Sequence, residues 1–192
     1  MTVLPAEVAP GALPRRRQLL FGTAFAAAAA AMFELALVGM YLSERGANRG
    51  VWFKEITVPL TQPNMQLGTL LFGSLFIQWA VWAIARNHRS QAYVGLALTL
   101  LMGLAFLNQT TFLWQMVKLP LARVEGPTFY AVTGGHFALV LAAMILIALM
   151  AIRAVGGQFS SRLPDGISAA AMFWHVTVAL YAVLWLAVYV MK

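Results

Sequence analysis

A chain of 192 residues that is 61% hydrophobic and only 10% charged cannot hide its apolar surface in a soluble core, so the bilayer must be its main solvent. The absence of cysteine excludes disulfides, thiolate metal sites, iron–sulfur clusters and cysteine nucleophiles. A net charge of +7 does not point to nucleic acid here, because the basic residues gather at the ends of apolar segments, where they meet phospholipid head groups.

Residues 1–18 read as a basic tail ending in Arg15, Arg16 and Arg17. With Leu19, Leu20 and the alanine run beyond, the triplet resembles a twin-arginine or secretory signal. The apolar stretch continues to Leu42, past the roughly 7–15 residues of a signal's apolar region, so Leu19–Leu42 is read as a first membrane span. Glu34 is the one carboxylate inside a span. Ionised and unpaired in hydrocarbon it would be very costly, so it carries a proton, is hydrogen-bonded or faces the interior. Ala24, Ala27 and Ala31 precede it at helical spacing and mark that face for close packing. Glu34 is then either a proton-relay or lipid-contact carboxyl, or an acid bonded between helices.

The link Ser43–Asn64 contains Gly46, Gly50, Pro59 and Pro63 and reads as irregular surface chain. Met65–Ala85 is a second span, and Arg86–Gln91 permits only a tight antiparallel hairpin to the third, Ala92–Leu113. Asn108, Gln109, Thr110 and Thr111 lie near the end of that span, where polar side chains bond across helices for roughly 0.5–2 kcal/mol each. Thr128–Ile152 and Ile167–Met191 complete a set of five, each near the about 20 residues that a hydrocarbon core of ~30 Å requires. Gly95, Thr99 and Gly103 form one small-residue ladder, and Gly134, Ala138 and Ala142 another; both read as packing seams. Tyr41, Trp82, Tyr93, Trp114, Tyr130 and Tyr189 fall near span ends, as an interfacial aromatic belt would place them. The expected architecture is all-α: an integral membrane bundle of five transmembrane helices, filling residues 19–192 behind the tail.

Seven Lys/Arg fall on the side of the tail and six on the other, so the charge difference is nearly nil. The triple arginine before the first span favours a cytoplasmic N-terminus and an outside C-terminus, because the first helix usually dominates.

His136 and His175 lie inside the last two spans, and each ring needs a partner at that depth. Counted at the helical rise from Thr128 and Ile167, each lies ~12 Å from opposite membrane surfaces, several ångströms apart in depth. Ligands on opposite faces of one haem must be nearly level, so a shared haem is disfavoured. His88 sits in a loop, and three histidines cannot supply a haem–copper or multi-haem centre. No HExxH, phosphate loop or serine elbow is present, and no broken helix of the transporter kind. No catalytic, cofactor-binding or metal-ligating residue is therefore assigned.

Several strings are similar to those of subunit III of the haem–copper terminal oxidases. Pro63-Asn64, Leu70-Leu71-Phe72-Gly73-Ser74 and Trp79-Ala80 lead into the hairpin as in that family. The third span carries Gly103, Phe106 and Gln109 but has Phe112 and Leu113 where a Glu-Tyr pair is usual. Phe129, Thr133, Gly134, His136 and Val140 match the penultimate helix, with Phe137 and Leu139 replacing a glycine and a second histidine. Trp174 and His175 match the last helix, with Val178 at an aspartate position, and Glu34 resembles the family's intramembrane carboxylate.

The resemblance implies a five-helix, non-catalytic integral subunit of a bacterial terminal oxidase in the cell membrane, serving aerobic electron transport and proton translocation. It implies no haem or copper in this chain, with both in partner subunits. It names the haem–copper subunit I, other oxidase subunits and phospholipids as partners. It places Glu34, Gln109, His136, Trp174 and His175 at buried polar, lipid or helix contacts. Two alternatives stay open: a subunit-III-like accessory protein of a nitric oxide reductase, and an independent b-type membrane cytochrome using His136 and His175.

Overall fold

The computed structural model describes residues 15–54, 56–160 and 164–191. Residues 1–14 of the basic tail lie outside them, as do Arg162 and Lys192 of the charge comparison. The described residues form α1 (Arg15–Ala47), α2 (Thr61–Ala85), α3 (Arg89–Val117), α4 (Glu125–Val155) and α5 (Asp165–Leu184). A π-helical turn, Trp185–Val190, extends α5. All five helices are long and apolar enough to cross a membrane, and no strand occurs among the described residues.

Local chemistry explains where the helices begin and end. Pro63 and Pro127 sit in the first turns of α2 and α4, where a missing N–H costs no helical bond. Asn87 adopts φ 61° in the tight α2–α3 turn, a left-handed conformation that asparagine tolerates better than most residues. After α3, Lys118 turns left-handed and its N–H closes on the Trp114 carbonyl at 3.0 Å.

The helix of α5 occupies the centre. It packs against α1, α2 and α4, while α2 pairs with α3, α3 with α4 and α4 with α1. Its apolar window is 56% buried, against 28–33% for the other four, so only α5 is sheathed by its neighbours.

The small-residue ladders divide. A Cβ on Gly95 would lie 2.8 Å from the Phe76 carbonyl, and one on Gly103 would strike Met144, so the α3 ladder is a close-packed seam. The α4 ladder is not. Ala138 and Ala142 are exposed, and a Cβ on Gly134 would meet nothing within 4 Å. The glycine beside it, Gly135, is tight, and its missing Cβ makes room for Leu37 of α1.

The link after α1 also differs from a surface loop. Val58 is buried, and Trp52 and Phe53 pack over the bundle end. The Trp52 indole donates to the Tyr41 hydroxyl at 3.4 Å, and Phe53 meets Phe129 edge-on at 6.2 Å. Tyr41 and Tyr189 are 1% and 2% exposed, so these two rings belong to the interior and not to an interfacial belt.

Candidate functional site

One buried polar layer draws a side chain from every helix. The inward stripe of α1 runs through Thr23, Ala27, Glu34, Val38 and Tyr41. Glu34 is fully buried and faces His136 of α4, its Oε1 3.6 Å from the imidazole Nδ1. The distance falls within ion-pair range but is longer than a hydrogen bond. Among the described residues, no hydrogen-bond partner lies within reach of either Glu34 oxygen or either His136 nitrogen.

The imidazole is held by rings instead. Phe106 of α3 meets it edge-on at 5.6 Å, and Tyr181 of α5 leans against it at 5.1 Å. The Tyr181 hydroxyl donates to Gln66 Oε1 of α2 at 2.6 Å, with the Pro63 carbonyl at 3.3 Å. Gln66 Nε2 donates to Thr110 Oγ1 at 3.0 Å, and Thr110 donates to its own helix at the Phe106 carbonyl, 2.9 Å away. The layer thus has two halves, a carboxyl–imidazole pair and an amide–hydroxyl chain. Between them lies a ring contact, which carries no proton. The arrangement sets the Glu34 carboxyl against the His136 imidazole inside the bundle, and it fixes five helices in register.

The other sequence-derived residues lie elsewhere. Gln109 is half-buried and exchanges hydrogen bonds with Thr69 of α2 at 3.1 and 3.4 Å. Trp174 is fully buried with its Nε1 unpartnered, and its ring fills the space left by Gly73, where a Cβ would come within 2.5 Å. His175 is half-buried on α5, its Nδ1 3.2 Å from Ser74 Oγ and its Nε2 3.2 Å from Gln78 Oε1. The two membrane histidines therefore serve different neighbours. No group of three or more metal-ligating side chains forms among the described residues.

Sequence reading named Thr110 among the polar residues that bond across helices, but it passed over its partner Gln66, a polar residue at a span end, and Tyr181. It also passed over Glu125. The helix of α4 begins three residues before the expected span, so Glu125 enters its first turn, 2% exposed and 2.8 Å from the Arg123 guanidinium. A carboxylate there complements the helix dipole.

Several family-like strings occupy defined positions. Asn64 Oδ1 accepts from the Trp185 indole at 2.8 Å, and with Pro63 it ties the start of α2 to the end of α5. Thr133 Oγ1 accepts from the Trp114 indole at 3.0 Å. Where the usual polar groups are missing, Leu113 and Val178 are buried apolar contacts and Phe112 is exposed on the outside of the bundle.

The family model described as cytochrome c oxidase subunit III matches residues 19–192. The chain is 32% identical over 132 residues to cytochrome c oxidase subunit 3 of Locusta migratoria, covering 68% of this chain and 50% of that one. It is 30% identical to the Cyprinus carpio protein, again over 68% of this chain and 51% of the relative. To the Spodoptera frugiperda protein it is 27% identical, over 90% of that sequence. The match thus spans about half the length of the locust and carp proteins. With five apolar spans and this match, the protein is an integral membrane protein, and the chain belongs to the cytochrome c oxidase subunit III family.

Proposed function

We propose that this chain is a non-catalytic subunit of a bacterial respiratory terminal oxidase of the cytochrome c oxidase type. Its role is to support assembly, lipid binding, proton uptake and stability of the haem–copper subunit, which holds the redox centres. The chain lies in the cell membrane with its N-terminus in the cytoplasm and its C-terminus outside. The observation that carries this reading is the family match over residues 19–192, joined to a buried polar layer built partly from the matched residues Glu34, Pro63 and His136.

Purification of the tagged chain from its native membrane tests the proposal. The expected result is a co-purifying, histidine-rich haem protein with cytochrome c or quinol oxidase activity. Deleting the chain should lower the activity per haem or shorten its lifetime during turnover. A stable solitary protein, or an isolated chain with its own Soret band, would overturn the reading in favour of an independent cytochrome.

Phe112, Leu139 and Val178 replace the family's usual glutamate, histidine and aspartate, and this favours one second reading, a subunit-III-like partner of a nitric oxide reductase. Nitric oxide reduction by the co-purified complex, without oxygen reduction, would select it.

A further inference from the structure

The sheath around α5 is open on one side. Contacts run from α2 to α3, α4 and α1, and packing does not close the ring between α1 and α2. Facing that opening, α5 leaves one stripe uncovered. Met172, Val176, Ala179, Val183, Leu186 and Val190 follow at alternating steps of four and three residues, the first two half-buried and the rest exposed. Such spacing is that of a seam along which a second helix packs. At the helical rise the stripe is about 27 Å long, close to a hydrocarbon thickness of ~30 Å. At mid-stripe the small Ala179 leaves room for another backbone to approach. Beside the first two residues lies a groove of ≈ 360 Å³ between α2 and α5, with Gln78 and Val81 on one wall and Ser168, Met172 and His175 on the other.

The polar groups in that groove have a direction. His175 Nε2 lies 3.2 Å from Gln78 Oε1, and an amide oxygen only accepts, so Nε2 carries the ring proton. In the neutral ring Nδ1 then accepts from the Ser74 hydroxyl, 3.2 Å away. The chain of bonds ends on the Gln78 amide, whose Nε2 donates to no group among the described residues although the side chain is exposed. Gln78 stands seven residues before Ala85, about 10 Å inside the end of α2. Free donors at that depth cost free energy, and polar side chains there normally face protein. An acyl chain would cover the stripe but brings no acceptor to the amide. A helix covers it and brings one on a side chain, since its backbone carbonyls are already bonded. We infer that this side of the bundle docks a transmembrane helix of a partner subunit, which sets a side-chain oxygen against the Gln78 amide. The inference deepens the reading above and rests on it only for the existence of a partner, not for the partner's haem.

The test uses the full chain in its native membrane. Because the sequence holds no cysteine, A179C can be labelled alone with a benzophenone maleimide, irradiated and mapped by peptide mass spectrometry. The expected product joins the label to one transmembrane segment of another protein, with a Ser, Thr, Asn, Gln, Asp or Glu at the level of Gln78. Q78L should lower the amount of that protein retained through detergent purification by about fivefold or more. If Q78L does not fold, A179W, which blocks the stripe without touching the polar groups, should lower it to the same extent. Adducts with lipid alone overturn the proposal, and adducts with a second copy of the chain overturn it in favour of a homodimer. A crosslinked segment without such a side chain overturns it too, as does full retention of the partner in Q78L or A179W. A haem-free partner that meets these conditions upholds the docking surface and sinks the oxidase reading. A haem protein that co-purifies but never crosslinks to A179C does the reverse.

Discussion

A carboxyl and an imidazole 3.6 Å apart inside an apolar bundle depend on one another. Removing either leaves its partner buried with no polar neighbour. Glu34→Ala and His136→Ala should each destabilise by about 1–3 kcal/mol, more where the remaining group keeps a charge. The double variant should cost less than the sum, with a coupling of roughly 0.5–3 kcal/mol, measured by unfolding of the purified protein in detergent. Strict additivity would show that the two groups do not interact. Tyr181→Phe should cost about 1 kcal/mol in the same assay, because Gln66 Oε1 then loses its 2.6 Å donor. The need of Glu34 and His136 for company was legible in the sequence, since each stands in a span. Their meeting was not, because they are far apart along the chain and nothing local marks one as the other's partner. Tyr181 was passed over for a related reason. A tyrosine among apolar residues looks like packing until its hydroxyl is seen to reach another helix.

At the scale of the helix, neighbouring glycines on α4 differ in consequence. Gly135→Ala should destabilise by about 1–3 kcal/mol, because the added methyl would meet Leu37 in the α1–α4 contact. Gly134→Ala has open space, and relief of the glycine helix penalty should make it neutral or stabilising by up to about 1 kcal/mol. A melting series of the two variants checks both signs. The spans themselves were readable, since length and hydropathy suffice to find a membrane helix. Which face turns inward was much less so. In water, polarity marks the outer face of a helix, whereas lipid is as apolar as the core and erases that mark. Hence Gly134, Ala138 and Ala142 looked like a seam, and Tyr41 and Tyr189 looked like interfacial anchors. The covering loop was hidden differently. Its glycines and prolines announce irregular backbone but say nothing of where Trp52 and Val58 go.

For the molecule as a whole, the family strings proved more informative than the physics of single residues. They lie on four helices, and Pro63, Asn64, Thr133 and Trp174 mark places where one helix is keyed to another. Gly73→Val should test that keying at its tightest point. The branched side chain would collide with the buried Trp174 ring, separating α2 from α5 and lowering the yield of folded protein. The same central position of α5 governs how the protein is made. Of the five helices it is the last to leave the ribosome, yet it is the one the others surround. Until it inserts, α1, α2, α3 and α4 enclose no filled centre, and Glu34 and His136 have no Tyr181 to close the space beside them. Without α5 the other four helices are an unfinished sheath, and the bundle gains its interior only when α5 joins them.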